Sequence, residues 1–254
     1  MQILLLGATG RTGLLVLKEA LDRNHSITAL ARNPESLSSN PAVAKHPSSA
    51  NLTIIQGSPL NKSDILKALL STPQKAPVDV VITTLNPRRT SDSPFAAVDP
   101  TDSPPRMMAD AMAGLLAALD EHNTKTKTNN NDKRPKIVAL SALGAGSSAA
   151  NTNCVLRLLF RKSNMVYTYE DHDAVEQELV RQRKEREGTA AGAVPYVLVR
   201  PTRLVEEGDG AAKVFGGDGT VGVMATISRG AVAKFLVDAA EKRDWDWKAP
   251  IIVG

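Results

Sequence analysis

The chain has 254 residues, of which 42% are hydrophobic and 23% are charged, and its formal net charge is +4. These values are ordinary for a globular α/β protein, and this length suffices for one domain with its own core. The single cysteine excludes a disulfide framework and a cysteine-built zinc site, and the four histidines are scattered. We therefore expect no metal centre.

Several classes of partner are also disfavoured. No apolar run approaches the roughly 18 residues that a membrane span needs, and the N-terminus lacks the basic start of a signal peptide. Two tryptophans, three tyrosines and four phenylalanines are few for stacking on nucleic-acid bases. We expect a cytoplasmic monomer or homodimer that acts on a small-molecule substrate, without nucleic-acid or membrane partners.

Short apolar runs alternate with amphipathic segments along the chain. The predicted strands cover residues 3–6, 26–31, 52–56, 78–83, 137–140, 196–200 and 251–253. The predicted helices cover residues 11–23, 62–71, 104–121, 153–162, 169–187 and 229–242, with Asn61 and Ser228 as N-caps of two of them. This alternation predicts an α/β fold, a single doubly wound Rossmann-type parallel sheet with helices on both faces.

Two segments interrupt this alternation. Residues 86–105 contain five prolines and are predicted to form an irregular excursion. Residues 123–135 are polar and of low complexity, which is typical of a disordered surface insertion.

A glycine-rich run stands directly between the first predicted strand and the first predicted helix. In such a run Gly7 makes the tight turn, Gly10 lets backbone amides approach a pyrophosphate, and Gly13 allows close packing of helix on strand. The amides and the dipole at the helix start attract phosphate. The predicted phosphate-binding residues are Gly7, Thr9, Gly10, Arg11, Thr12 and Gly13.

The end of the second predicted strand indicates the cofactor preference. An acidic residue there would bind a ribose 2′-hydroxyl and favour NAD, but the position holds Arg32. A guanidinium can pair with a 2′-phosphate, and Arg11 can reach the same group. The sequence therefore predicts NADP(H) as the cofactor.

Five motifs together resemble a known family. They are Gly7-Ala8-Thr9-Gly10-Arg11-Thr12-Gly13, Ala31-Arg32-Asn33-Pro34, Ser141-Ala142-Leu143-Gly144-Ala145-Gly146, Val199-Arg200-Pro201-Thr202-x-Leu204 and Ile227-Ser228-Arg229. They resemble the NAD(P)H-binding, NmrA-like group of atypical short-chain dehydrogenases/reductases, and within it the flavin reductase/biliverdin IXβ reductase-like proteins. The resemblance spans nearly the whole chain.

The resemblance implies further cofactor contacts at the carboxyl ends of strands. It implies that Thr83, Thr84 and Leu85 line the ribose and nicotinamide path, that Ser141 faces the nicotinamide, and that Pro201 and Thr202 close its far side. It also implies one NAD(P)-binding domain over residues 1–254, with a substrate pocket from about 142–170 and 202–226. In the turn Gln56-Gly57-Ser58, Ser58 stands where relatives often carry an acidic residue.

The catalytic group is less clearly specified. None of the three tyrosines is followed four positions later by lysine, so the Tyr-x-x-x-Lys dyad of many short-chain reductases is absent. The candidate substitutes are Ser141, Tyr169, Asp171 and His172. The last three are expected at the start of the helix 169–187, where Asp171 could instead pair with the helix dipole.

Three functions remain open at this point. The first is an NADPH-dependent reductase that transfers hydride to a small organic or flavin-like acceptor. The second is an NADP(H) sensor acting through a protein partner, and the third is an enzyme performing a non-redox acid–base rearrangement. No Gly-x-Ser-x-Gly run is present, which argues against hydrolase chemistry.

Overall fold

The computed structural model describes residues 1–46, 48–72, 76–91, 93–126, 134–189, 192–208, 210–216 and 219–254. Its ten strands are β1 (Gln2–Leu6), β2 (Ser26–Ala31), β3 (Leu52–Gln56), β4 (Val80–Thr83), β5 (Lys136–Leu140), β6 (Tyr196–Pro201), β7 (Arg203–Val205), β8 (Lys213–Val214), β9 (Thr226–Ser228) and β10 (Ile251–Val253).

Eight of these strands form the central sheet, in the order β3-β2-β1-β4-β5-β6-β10-β8, while β7 and β9 pair separately. The neighbours from β3 to β10 run parallel, and β8 joins β10 antiparallel at the edge. The chain reverses its direction of travel across the sheet between β1 and β4. In open α/β sheets, ligands bind at the carboxyl ends of the strands beside such a switch point.

Eight α-helices lie within the described residues: α1 (Arg11–Asp22), α2 (Glu35–Ser38), α3 (Pro41–Ala44), α4 (Lys62–Leu70), α5 (Met107–Thr126), α6 (Cys154–Arg161), α7 (Met165–Arg186) and α8 (Arg229–Glu241). One apolar core lies between the sheet and α1 and α8, and a second lies between the sheet and α4, α5 and α7. The predicted doubly wound arrangement is confirmed. Within the described ranges, no helix has both the length and the apolar character needed to cross a membrane.

Most predicted elements agree with the structure. The strands β2, β3 and β10 have the predicted bounds, and the two predicted caps form. The Asn61 side chain accepts a hydrogen bond from the amide of Ser63 at 2.9 Å, and Ser228 accepts one from the amide of Ala231 at 3.1 Å. The strands β7, β8 and β9 were not predicted, because strands of two or three residues carry no periodic pattern.

Two helix predictions were wrong in their bounds. Helix α7 begins at Met165, so Asp171 and its acidic neighbours lie beyond the first turn and do not complement the start of their own helix. Helix α5 continues to Thr126, so residues 123–126, predicted as the start of a disordered insertion, complete a helix. Residues 127–133 of that predicted insertion lie outside the described residues.

The proline-rich excursion contains no helix or strand in its described part, as expected. It folds back on itself through an antiparallel bridge between Arg89 and Val98. The backbone amide of Arg88 also donates to the hydroxyl of Ser103 at 2.7 Å. These contacts bring the far end of the excursion back to the edge of the sheet where β4 ends.

Candidate cofactor and active site

The carboxyl ends of four parallel strands form one continuous edge. Leu6 at the end of β1 is in register with Thr83 at the end of β4, and Thr83 is in register with Ala139 of β5. Leu140, the last residue of β5, is in register with Val199 of β6. The residues that follow these strands, among them Gly7, Thr84, Ser141 and Thr202, therefore lie along the same edge.

The glycine turn leaves no room for side chains. Gly7 has a φ of +87°, which L side chains rarely adopt. A Cβ on Gly13 would lie 2.0 Å from the carbonyl oxygen of Gly7, so only glycine lets α1 pack this closely on the end of β1. Gly10 is the N-cap of α1 and supplies no side-chain hydrogen bond, which leaves amides at the helix start for a ligand.

Thr84 supports this turn from the neighbouring strand. Its buried hydroxyl lies 3.3 Å from the carbonyl oxygen of Leu6 and 3.2 Å from that of Gly7. It therefore holds the backbone from which the turn departs. Thr83 is buried, Leu85 is half-buried, and both lie on the predicted cofactor path along the edge.

An arginine pair lies at the end of β2. The guanidinium of Arg32 donates to Oδ1 of Asp102 at 3.0 Å, and that of Arg88 donates to Oδ2 of the same carboxylate at 2.9 Å. Hydrogen bonding from Arg88 and the charge of Arg32 hold the pKa of Asp102 below its usual range. Both arginines are exposed, so their guanidinium groups are open to solvent around the shared carboxylate.

A second arginine pair lies beside the glycine turn. Oε1 of Glu206 accepts hydrogen bonds from Arg11 and from Arg229, each at 2.9 Å. Arg229 also reaches the hydroxyl of Thr12 at 3.3 Å. Hydrogen bonding from Arg229 is the largest contribution to the lowered pKa of Glu206. The start of α8 therefore presents a guanidinium to the start of α1.

Three predicted residues occupy the other end of the edge. Ser141 is buried directly after β5, and its hydroxyl has no hydrogen-bond partner among the described residues. Pro201 is the last residue of β6 and is buried. Thr202 follows it, is 5% exposed, and has a buried hydroxyl without a partner in the described part of the chain. The unpaired hydroxyl of Thr202 is suited to a polar ligand, because burying it without a partner is costly.

Tyr169 is engaged in packing. Its hydroxyl donates to the carbonyl oxygen of Leu143 at 3.1 Å, and its ring stacks on Phe160 with centroids 4.4 Å apart. Burial, with a smaller contribution from the charge of Asp173, raises the pKa of Tyr169. A tyrosine in this environment holds its proton tightly, and its hydroxyl is bound to the loop after β5, so its catalytic role stays a prediction.

Asp171 and His172 face inward from α7. Both oxygens of Asp171 accept backbone amides of α5, from Met108 and Ala109 at 2.9 Å each, so the carboxylate caps that helix. Burial nevertheless raises its pKa. Burial and the neighbouring Arg200 lower the pKa of His172 to about 4. At neutral pH this imidazole is uncharged, and its catalytic role stays a prediction, as does that of Asp171.

Sequence reasoning missed the partners of the predicted residues. Arg88 and Asp102 lie in the excursion, and Glu206 follows the unpredicted strand β7. Arg229 belongs to the motif Ile227-Ser228-Arg229, but the sequence did not indicate what its side chain contacts. Arg88 could have been identified from its position shortly after a strand that ends at the cofactor edge. Nothing in the local sequence pointed to Asp102 or Glu206.

A cavity of about 520 Å³ lies in the region predicted for the substrate. It is lined by residues of β7, β9 and β10 and of the intervening loops, among them Val205, Gly208, Phe215, Val221, Ile227 and Val253. A second cavity, of about 640 Å³, lies along α7 and is bordered by Gly146 and Ser147 of the loop after β5. Within the described ranges, no three His, Cys, Asp or Glu side chains converge as a metal site would require.

These residues fit a dinucleotide. The glycine turn is a cradle that a Cβ would fill, the start of α1 offers amides, and two arginine pairs can meet phosphates. A Rossmann sheet with these features defines an NAD(P)-binding α/β protein. The chain belongs to the NAD(P)H-binding family, whose model matches residues 7–243.

Solved structures share this fold at low sequence identity, whereas no curated protein sequence matches the chain. The anaerobillin reductase ChuY of Escherichia coli O157:H7 is 15% identical, with a TM-score of 0.67 over 100% of this chain and 97% of that one. A short-chain dehydrogenase/reductase of Veillonella parvula, solved in complex with NADP, is 17% identical, with a TM-score of 0.65 over 99% and 93%. The oxidoreductase ylbE of Lactococcus lactis is 16% identical, with a TM-score of 0.63 over 99% and 90%.

Proposed function

We propose that this protein is an NADPH-dependent reductase that transfers hydride to a small organic or flavin-like acceptor without a Tyr-x-x-x-Lys dyad. The observation that carries the choice of NADPH is the convergence of Arg32 and Arg88 on one carboxylate at the end of β2. A 2′-phosphate presents the same kind of anion to these guanidinium groups. The similarity in fold to reductases supports the reaction class.

The residues that would hold the cofactor divide into three groups. The amides from Gly7 to Gly13 would bind the pyrophosphate, and Arg32 would bind the 2′-phosphate, which Arg11 can also reach. Thr83, Thr84 and Leu85 would form the floor of the path. Ser141, Pro201 and Thr202 would enclose the nicotinamide, whose ring supplies the hydride when the cofactor is bound.

The protein's own part in the reaction is positioning. The Ser141 hydroxyl would hydrogen-bond the acceptor, either at an oxygen or at a ring nitrogen, and so orient it. Tyr169 would fix the loop that follows, through Leu143. The proton that accompanies hydride transfer would come from water, or from a donor that Ser141 positions, because Tyr169 and Asp171 are committed to backbone partners.

We further propose a single domain over residues 1–254, in which residues 142–170 and 202–226 form the acceptor pocket, acting as a monomer or homodimer in the cytoplasm. The exposed, unpaired Cys154 fits a reducing compartment.

Stopped-flow oxidation of NADPH with a panel of flavins, quinones and enones tests the proposed reaction. Oxidation that saturates with an acceptor and weakens in Ser141→Ala supports the reductase. Tight NADPH binding without oxidation by any acceptor would contradict it. The sensor would then be favoured by a protein partner that binds only one redox form, and the rearrangement enzyme by turnover with the nucleotide unchanged.

A further inference from the structure

Large apolar side chains stand out of the surface around α6. Five of them form what we call the apolar rim, and each is between 60% and 79% exposed: Phe95, Val155, Leu158, Tyr167 and Met224. Val155 and Leu158 lie three positions apart on one face of α6. No residue of α6 is fully buried, so this helix rests on the surface with much of its apolar face uncovered.

Hydrogen bonds join the segments that carry the rim. The side chain of Asn164, directly before α7, donates to the carbonyl oxygen of Phe95 at 2.8 Å. On the other side, the amide of Val221 donates to the carbonyl oxygen of Asn151 at 2.8 Å. The excursion and the segment that carries Met224 are therefore tied to the residues on either side of α6, and the rim is built from separate parts of the chain.

The rim lies beside the candidate active site. Phe160 of α6 stacks on Tyr169, whose hydroxyl binds the carbonyl of Leu143, two residues after Ser141. Through Phe160 and Tyr169, α6 is thus connected to the loop that follows Ser141.

The segment that carries α6 is positively charged. Residues 152–169 contain Arg157, Arg161 and Lys162 and no acidic residue, and the next acidic residue is Glu170. Arg157 turns inward to the carbonyl oxygens of Ala149 and Thr152. Arg161 and Lys162 are exposed, and within the described ranges neither forms an ion pair with a carboxylate. Two cations therefore face solvent next to the apolar side chains.

We propose that the apolar rim docks this protein on the surface of an anionic membrane. Side chains that protrude singly from several segments can each enter the lipid interface, while exposed Arg and Lys meet the headgroups. Such peripheral docking needs no membrane-spanning helix, so the absence of a long apolar run in the sequence does not argue against it. The proposal does depart from the sequence-based expectation that the protein has no membrane partner.

Co-sedimentation with vesicles tests the proposal, using phosphatidylcholine alone and phosphatidylcholine mixed with phosphatidylserine. We expect the wild type to bind the mixed vesicles, and the double variant Val155→Asp/Leu158→Asp to bind at least about tenfold more weakly. The matched control is Leu60→Asp/Leu70→Asp, which places the same charges on exposed leucines away from the rim. The variant Arg161→Gln/Lys162→Gln should bind the mixed vesicles roughly tenfold or more weakly. Each cation near an anionic leaflet contributes roughly fivefold to the affinity.

Three results would overturn the proposal. The first is no binding of the wild type to the mixed vesicles, and the second is equal loss in the rim and control variants. The third is a wild-type dimer in sedimentation velocity that the rim variant dissociates, without vesicle binding, which would assign the rim to a second copy of this chain. Thermal unfolding verifies that each variant is folded. No nucleotide or turnover is involved, so the outcome is independent of the proposed reductase activity.

Discussion

Asp102 holds the guanidinium of Arg32 in place at 3.0 Å. This contact joins the end of β2 to the far end of the proline-rich excursion, although the two residues are 70 positions apart. Arg88 binds the other oxygen of the same carboxylate, so two guanidinium groups and one carboxylate meet at the end of β2. The proposed preference for NADPH depends on this arrangement.

Replacing Arg32 should reduce the discrimination between the two nucleotides. Charge-assisted hydrogen bonds contribute about 1.5–3 kcal/mol each, so Arg32→Ala should weaken NADPH binding roughly 10- to 100-fold. NADH lacks the 2′-phosphate, and its affinity should hardly change. Isothermal titration calorimetry with both nucleotides measures the two constants.

The control for this variant is Arg181→Ala, which removes an exposed arginine of α7 paired only with acidic residues of the same helix within the described ranges. It should leave both affinities unchanged. An Arg32→Ala variant that loses NADPH and NADH equally would contradict the assignment of Arg32 to the 2′-phosphate.

Two glycine substitutions should have opposite effects. A Cβ at Gly13 would approach the carbonyl oxygen of Gly7 to 2.0 Å, so Gly13→Ala must displace the turn, lower the melting temperature and reduce nucleotide binding at least about tenfold. In α5, a Cβ at Gly114 would meet only Ile65 at 3.7 Å among the described residues. Gly114→Ala should therefore bind nucleotide normally and gain about 0.5–1 kcal/mol of stability. Normal binding by Gly13→Ala would disprove the proposed phosphate turn.

Ser141 and Tyr169 should differ in their kinetic effects. Ser141 has an uncommitted hydroxyl at the strand edge, so Ser141→Ala should lower kcat by about tenfold or more while the protein remains folded. The Tyr169 hydroxyl is bound to Leu143, so Tyr169→Phe should cost about 1 kcal/mol of stability and change kcat less. Steady-state kinetics and thermal unfolding separate these cases. The reverse order of kcat effects would make Tyr169 the catalytic group.

Protonation of His172 should destabilise the fold in acid. Its pKa is about 4 in the folded protein, below the ordinary value of 6.5 that it regains in the unfolded chain. Between these values the unfolded chain binds a proton that the folded protein does not. The free energy of unfolding should therefore fall by up to about 1.4 kcal/mol per pH unit as the pH drops from about 6.5 towards 4.

Urea unfolding at several pH values measures this dependence in the wild type and in His172→Gln. The variant lacks the titrating group, so its stability should fall less steeply through the same window. Identical slopes for the two proteins would show that His172 titrates normally.

The sequence identified the frame of the site because that frame depends on local patterns. Fully apolar runs such as the one at residues 3–6 indicate buried parallel strands, and the glycine spacing after β1 indicates the turn. The residues that follow the predicted strands do lie along one edge, as parallel strands require.

The pairings within the site depend on tertiary contacts that have no local signal. Glu206 follows a three-residue strand, and Asp102 lies in a segment without regular structure. Asp171 was predicted at the start of its own helix, where it could pair with the helix dipole, yet its carboxylate caps the neighbouring helix α5. In the sequence, an acidic residue near a predicted helix start could pair with its own helix or cap a neighbouring one. Only the packing of α7 against α5 distinguishes these two roles.

The most direct test of the account is an equilibrium titration of the wild-type protein with NADPH and with NADH. The glycine turn and the Arg32 cluster predict that NADPH binds, and that it binds at least about tenfold more tightly than NADH. Tighter binding of NADH would contradict the role of the arginine pair at the end of β2. Failure to bind either nucleotide would contradict the assignment of residues 7–13 as the phosphate-binding turn, and with it the proposed reductase.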